Sequence, residues 1–150
     1  MQNTSLIEEP IYLKGHVVIS LYDEKGNLKQ QEEENLVVNT GKNFVANAII
    51  ASSTSPMTHM AIGTGTTGAA LTDTTLQTEL SRVAFTSAVT ASNVATMTTT
   101  WPAGTGTGSI TEAGIFNNAI AGTMMSRVVF GVVTKAATDT LTIAWSITAG

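Results

Sequence analysis

The C-terminal end of the chain alternates between apolar and small polar side chains with the two-residue period of a β-strand. One set of alternate positions is Leu141, Ile143, Trp145 and Ile147, and the other is Thr140, Thr142, Ala144, Ser146 and Thr148. Successive side chains of a strand point to opposite faces, so this pattern predicts a strand with one buried and one wetter face. Threonine suits the wetter face because its branched β-carbon favours an extended backbone.

The first part of the chain predicts a hairpin. Alternating Val17, Ile19 and Leu21 indicate one strand, residues 23–27 have the composition of a turn, and the return strand extends over residues 30–38. Three consecutive glutamates in the return strand predict an exposed edge that resists the addition of another strand. An acidic docking surface is the alternative for these glutamates.

A single substantial helix is predicted after this hairpin. Apolar residues recur four positions apart over residues 40–52, and the Thr40 hydroxyl is expected to cap the helix. After Pro56 the sequence consists of short strand patterns separated by Gly-rich turns. This order predicts a mainly β fold, an antiparallel β-sandwich or jelly-roll-like single domain with one helix.

A weak internal repeat supports the same fold class. The sequence SRVAF occupies residues 81–85, and SRVVF occupies residues 126–130. Each copy is followed by a polar turn and a strand pattern that ends at or near Trp101 or Trp145. Each copy is therefore predicted to form a hairpin, with the two tryptophans in the core.

The N-terminal residues differ from the remainder of the chain. The segment before Pro10 shows no periodicity, and the proline favours an extended backbone at the preceding residue. We therefore expect an extended arm over residues 1–13 and a β-rich domain over residues 14–150. The arm is expected to lie on a partner or on a neighbouring copy.

Composition and charge bear on the partners of the protein. The chain of 150 residues is one domain's worth of protein, and its net charge is -4 with a pI near 5.0. Because no cluster of Lys or Arg occurs, we expect no nucleic-acid partner. The first residues do not resemble a signal peptide and no long apolar run occurs, so we expect synthesis in the cytoplasm and no membrane partner.

The glycines Gly63, Gly65 and Gly68 match the letters of a dinucleotide-binding G-x-G-x-x-G loop. That loop requires a long helix after the third glycine, whose N-terminal N–H groups hold the phosphates, and an acidic residue farther along. Neither follows here, and a second Gly/Thr run occupies residues 104–108. Both runs are interpreted as turns, and no cofactor is expected.

The residues that could perform chemistry are few. His16 and His59 have no carboxylate or second histidine at the spacing of metal ligands, so no metal site is predicted. No serine lies in a nucleophile elbow, and no catalytic triad can be assembled from the sequence. We therefore expect no catalytic residues and a protein that is not an enzyme.

Charged residues are sparse after Gly41, and two acidic residues there, Glu79 and Glu112, have Arg82 and Arg127 as their expected partners. A charge in apolar surroundings is costly unless it is paired, and Glu112 is flanked by apolar residues. Structural ion pairs are therefore predicted in preference to a catalytic carboxylate. The residues of these pairs are Glu79, Arg82, Glu112 and Arg127.

Several runs of the sequence resemble small virion proteins of tailed bacteriophages. They are AIGTGTT at 61–67, LTDTTLQTELSR at 71–82, ITEAGIF at 110–116 and LTIAW at 141–145. The resemblance extends from near Asn39 to the C-terminus, and the N-terminal segment does not share it. It implies a non-enzymatic assembly protein of the virion that is often oligomeric.

Within that resemblance, the arm favours a capsid cement or decoration protein that binds the major capsid protein. The expected state is a homo-oligomer, a trimer at local threefold positions, that stabilises the outer shell by surface burial. The expected capsid contacts are Leu6, Ile7, Pro10, Ile11 and Tyr12, with the alternative that these residues only cover the core of the domain.

Two other functions remain open at this point. One is a structural protein of the tail fibre, baseplate or neck, which would differ in its copy number per particle. The other is a carbohydrate-binding module whose sugar platforms would be aromatic side chains. The candidate platforms are Trp101, Trp145, Tyr12 and Tyr22.

Overall fold

A computed structural model describes residues 10–51 and 55–150. These residues form nine β-strands and one α-helix. The elements are β1 (Leu13–Tyr22), β2 (Leu28–Val37), α1 (Asn39–Ile50), β3 (His59–Gly63), β4 (Glu79–Ala84), β5 (Ser87–Ala91), β6 (Val94–Trp101), β7 (Gly108–Phe116), β8 (Met124–Lys135) and β9 (Thr140–Ala149). The prediction of a mainly β, single-domain antiparallel fold is confirmed. Over the same residues, no helix is long and apolar enough to cross a membrane.

The strands form one curled antiparallel sheet in the order β4-β3-β7-β8-β2-β1-β9-β6-β5. The sheet bends at β2, where residues up to Asn35 pair with β1 while Leu36 and Val37 pair with β8. It bends again after β4, where the N–H of Phe85 bonds to the segment before β3 and the N–H of Thr86 bonds to β6. Strands β4, β3, β7 and β8 are called the β7 half below, and β1, β9, β6 and β5 the β9 half. The two halves face each other across the core.

The core between the two halves contains the residues that the alternation of β9 predicts. Leu141, Ile143, Trp145 and Ile147 are buried, and the residues between them are half-buried. The β7 half contributes apolar side chains from the opposite side, among them Ile62, Ile115 and Val128. Fully burying each aliphatic side chain of this kind contributes about 1.5–3 kcal/mol.

A second apolar cluster lies on the other face of the β7 half. Its members are Val38, Ala61, Leu76, Phe116 and Met124. Leu76 belongs to the long connection between β3 and β4, so this connection folds back over the outside of the sheet. The beginning of α1 lies near the same connection, because the N–H of Asn39 donates to the carbonyl of Leu71.

The start of α1 differs from the prediction. Helix α1 begins at Asn39, and no side chain caps its first turn. The expectation that Thr40 caps the helix is wrong, because the Thr40 hydroxyl donates to the Met124 carbonyl instead, at 2.7 Å. Since Val38 is held by a backbone hydrogen bond to Met125, the helix begins directly from β2.

The two predicted hairpins of the repeat are also wrong. Strand β4 pairs with β3, and β8 pairs with β7 and β2. The strands that end the two copies, β6 and β9, pair with each other. Each copy therefore crosses from the β7 half to the β9 half. Alternation of side chains indicates which face of a strand is buried but not which strand it pairs with, and both arrangements bury the same face.

Within residues 10–51 and 55–150, the glutamate-rich part of β2 is paired on one side only, although β2 lies between β8 and β1 in the sheet and is not the edge strand that the sequence predicts. Glu32, Glu33 and Glu34 pair with β1. On their other side they have no ladder partner in the described part of the chain, because β2 reaches β8 only at Leu36 and Val37. Glu32 and Glu34 are exposed and Glu33 is half-buried.

Candidate functional site

The Glu112 carboxylate is completely buried on the outer face of the β7 half. Its Oε1 accepts hydrogen bonds from the backbone N–H groups of Gly65 and Thr78, at 3.0 and 2.8 Å. Its Oε2 accepts from the N–H of Gln77 at 3.0 Å and from Arg127 Nε at 2.9 Å. Both oxygens of the buried charge are thus fully matched by donors.

Arg127 extends the same cluster toward the solvent. Its Nη2 lies 2.9 Å from Glu112 Oε2 and donates to the Thr67 carbonyl at 2.9 Å, while its Nη1 lies 2.8 Å from Asp73 Oδ2. The Arg127 side chain is buried, and the Asp73 side chain is 25% exposed. The guanidinium therefore joins β8 to two points, Thr67 and Asp73, of the connection between β3 and β4.

The glycine-rich loop is explained by this cluster. A Cβ on Gly65 would lie 2.5 Å from Glu112 Oε1 and 2.5 Å from Gln77 Cβ, so only glycine fits there. Gly68 has open space around it. The G-x-G-x-x-G run is thus a loop that holds a carboxylate of its own chain, and one of its glycines donates to that carboxylate.

The surroundings of Glu112 lower its pKa. Burial by itself raises the pKa of this carboxyl, but the hydrogen bonds from Thr78, Gln77, Arg127 and Gly65 together outweigh burial and hold the pKa below its ordinary value of 4.5. The carboxylate is therefore ionised and fully occupied by donors within the fold. This arrangement suits a structural link between strands and loop.

The second predicted pair forms nearer the surface. Arg82 donates to Glu79 through two nitrogens, Nε at 3.0 Å and Nη2 at 2.7 Å. Its guanidinium also lies 3.6 Å from the centre of the Phe116 ring and donates to the carbonyls of Asn118 and Ala121. The structure thus places the four residues of the predicted ion pairs in two separate pairs, Glu79 with Arg82 and Glu112 with Arg127.

The two arginines share one row of the sheet. Arg82 is in register with Ala61, Ala61 with Gly114, and Gly114 with Arg127. The two SRV motifs therefore lie side by side in the sheet, on β4 and β8, with β3 and β7 between them. The sequence repeat shows that the two arginines have similar neighbours, but it does not indicate which residues pair across the strands.

The histidines lie apart from these pairs. His59 Nδ1 is 2.7 Å from the Thr58 hydroxyl, and His16 Nε2 is 3.6 Å from Glu32 on the neighbouring strand. Among residues 10–51 and 55–150, no three His, Asp or Glu side chains are grouped in a way that could hold a metal ion.

Two further charged residues, Lys135 and Asp139, are buried, and neither was predicted from the sequence. The Lys135 ammonium, at the end of β8, donates to the carbonyl of Asp139 at 2.6 Å and to that of Pro102 at 3.1 Å. Burial lowers the pKa of Lys135, and the nearby Asp139 charge opposes this effect in part. The sequence does contain one indication that Lys135 is buried. It lies two residues after Val133, on the buried face of the same strand.

An apolar groove lies where the start of β1 and the end of β9 meet α1. It has a volume of about 640 Å³ and is lined by Ile11, Tyr12, Leu13, Lys42, Val45, Ala46, Ile49 and Ala149. Ile11 is 81% exposed, Tyr12 57% and Ile49 80%, which is unusual for large apolar side chains that share one groove. We call this feature the α1 groove.

The predicted contact residues fall partly on this groove. Ile11 and Tyr12 line it, and Tyr12 exchanges two backbone hydrogen bonds with Gly150, at 3.1 and 2.9 Å. Pro10 is exposed at the beginning of the described chain, and Leu6 and Ile7 lie outside the described residues. Val45 and Ile49 of α1 also line the groove, and neither is among the predicted contact residues.

The aromatic residues considered as sugar platforms divide into two groups. Trp101 and Trp145 are fully buried between the halves of the sheet. Tyr12 lies at the α1 groove, and Tyr22, at the far end of β1, is 38% exposed. The two exposed tyrosines are therefore at opposite ends of one strand.

Comparison with known proteins gives no match: no family model, no curated protein and no solved structure is similar to this chain.

Proposed function

We propose that the chain is a structural protein of a tailed-bacteriophage virion, and specifically a cement protein that binds the outer surface of the capsid. The resemblance of residues 61–67, 71–82, 110–116 and 141–145 to small virion proteins supports the class of function. The α1 groove supports a binding role.

The observation that carries the binding role is the exposure of three large apolar side chains at one groove. Ile11, Tyr12 and Ile49 each expose more than half of their surface. Covering apolar surface releases about 25 cal/mol per Å², so a partner that fills this groove would gain a favourable free energy. Residues 1–9 precede Pro10 in the sequence, and in this proposal Leu6 and Ile7 add contacts on the same partner.

A cement protein acts by mass action. If it binds neighbouring capsid subunits in the assembled shell and not the isolated subunits, its binding free energy is added to the stability of the shell. The sheet bends at β2 and after β4, and Glu112 and Arg127 hold one of its loops in place. A body of this kind would be rigid and would hold the groove in a fixed shape. Little conformational entropy would then be lost on binding.

A structural protein of the tail or baseplate is the alternative within the same biology, and it would use the groove in the same way. A carbohydrate-binding module is the alternative from another class. The burial of Trp101 and Trp145 leaves Tyr12 and Tyr22 as its platforms.

The binding role can be tested with Ile49→Lys, which places a charge in the α1 groove. Ile120→Lys is the matched control, because Ile120 is 82% exposed against 80% for Ile49 and does not line the groove. Particles of the phage whose gene for this chain is deleted are mixed with each purified protein and sedimented. Folding of each protein is checked by its thermal transition.

We expect the wild type and Ile120→Lys to sediment with the particles, and Ile49→Lys and a variant without residues 1–10 to stay in solution while remaining folded. Equal binding of Ile49→Lys would remove the α1 groove from the proposal. Failure of the wild type to bind any particle would reject the cement role.

A further inference from the structure

Strand β5 forms an edge of the sheet with unusual properties. It pairs with β6 on one side, and on the other side it has no ladder partner in the described part of the chain. All five of its residues, Ser87–Ala91, are exposed, and Val89 at its centre is 62% exposed. An edge of this kind presents unpaired backbone N–H and C=O groups to any strand that approaches.

None of the usual protective devices is present on β5. Edge strands are commonly protected by charged side chains, proline or a bulge. The sequence SAVTA contains neither charge nor proline, its pairing with β6 is regular, and no Asp, Glu, Lys, Arg or His occurs between Arg82 and Glu112. The opposite end of the sheet differs, because β4 carries Glu79 and Arg82.

The surroundings of β5 also lack charge. Its neighbours β6 and β9 contain no charged residue. An apolar groove of about 400 Å³ opens beside the edge, and its lining includes Val89, Phe85, Pro56 and Met57. A strand that is added to β5 therefore meets no like charge, and its side chains have apolar surface to contact.

We propose that two copies of this chain associate through β5, antiparallel about Val89, so that the two sheets become continuous. In this pairing Val89 faces Val89 of the second copy, and Ala88 faces Thr90 of the second copy. The two-fold axis places Val89 opposite its own equivalent, so a charge at this position would face the same charge of the second copy. The absence of charge from SAVTA makes the strand self-complementary.

This inference is independent of the proposed function. The residues that carry it are separate from Ile11, Tyr12 and Ile49, so loss of self-association and loss of capsid binding are distinguishable. It also differs from the trimer expected of a cement protein, because pairing of β5 with itself closes after two copies.

The test is the molar mass in solution, measured by light scattering and sedimentation equilibrium over a series of protein concentrations. Val89→Lys places two ammonium groups opposite each other in the proposed pair. Val132→Lys is the matched control, because Val132 is also 62% exposed but lies in β8, between β7 and β2 in the sheet.

We expect the wild type and Val132→Lys to show twice the monomer mass as the concentration rises, and Val89→Lys to remain a folded monomer. In the wild type, the protection of β5 amides from hydrogen exchange is expected to increase with protein concentration, because this pairing covers them. A monomeric wild type, a trimeric mass, or a Val89→Lys protein that still dimerises would overturn the proposal.

Discussion

Arg127 and Glu112 form an ion pair in which both side chains are buried, with Arg127 Nε and Nη2 each 2.9 Å from Glu112 Oε2. The pair joins two adjacent strands, β7 and β8, to the loop that contains Gly65. Because the carboxylate also accepts three backbone hydrogen bonds, its removal affects the strands and the loop together.

Glu112→Gln is expected to lower the free energy of unfolding by about 3–5 kcal/mol, because Arg127 would then be a buried charge that has lost its fully buried partner. Glu79→Gln is the control, since Glu79 is 36% exposed, and it should cost no more than about 1 kcal/mol. Urea unfolding monitored by tryptophan fluorescence measures both values. Equal costs for the two substitutions would show that burial of the Glu112 pair contributes nothing special.

The acid stability of the protein is expected to depend on Glu112. Its pKa is held below 4.5 in the fold, so as the pH falls below this value the unfolded state takes up a proton that the folded state does not. The contribution is complete above the ordinary pKa and is lost as the pH falls through the folded pKa. The stability difference between wild type and Glu112→Gln should therefore shrink with decreasing pH, and a difference that stays constant in acid would contradict this account.

Gly65→Ala is expected to displace the loop, because the new Cβ would approach Glu112 Oε1 and Gln77 to 2.5 Å. We expect a loss of about 1–3 kcal/mol, the usual cost of overpacking. Gly68→Ala has open space and should be nearly neutral. Thermal unfolding of the two variants tests this, and a Gly68→Ala protein that is as unstable as Gly65→Ala would show that the clash is not the cause.

The sequence predicts the burial of side chains better than the pairing of strands. The alternation of β9 identifies its buried residues because a strand has a period of two. SRVAF and SRVVF do not pair with the strands that end at the two tryptophans, because pairing depends on contacts between distant strands, which alternation does not encode.

The same limit applies to the candidate site. The charge-poor surroundings of Glu112 and Arg127 indicate a pair, but Asp73 and Gln77 join it only because the connection between β3 and β4 folds back over the sheet. Ile49 has the spacing of a core residue in α1, yet it is exposed because the sheet covers only one side of the helix. Short-range patterns contain no information on either arrangement.

The central claim, that this chain is a capsid cement protein, is tested most directly by its copy number in purified virions. Quantitative mass spectrometry of intact particles measures the ratio of this chain to the major capsid protein. The account predicts a fixed ratio close to the number of capsid binding sites, and loss of the chain from particles when Ile49→Lys is introduced. Absence of the chain from virions, or only a few copies per particle, would contradict it.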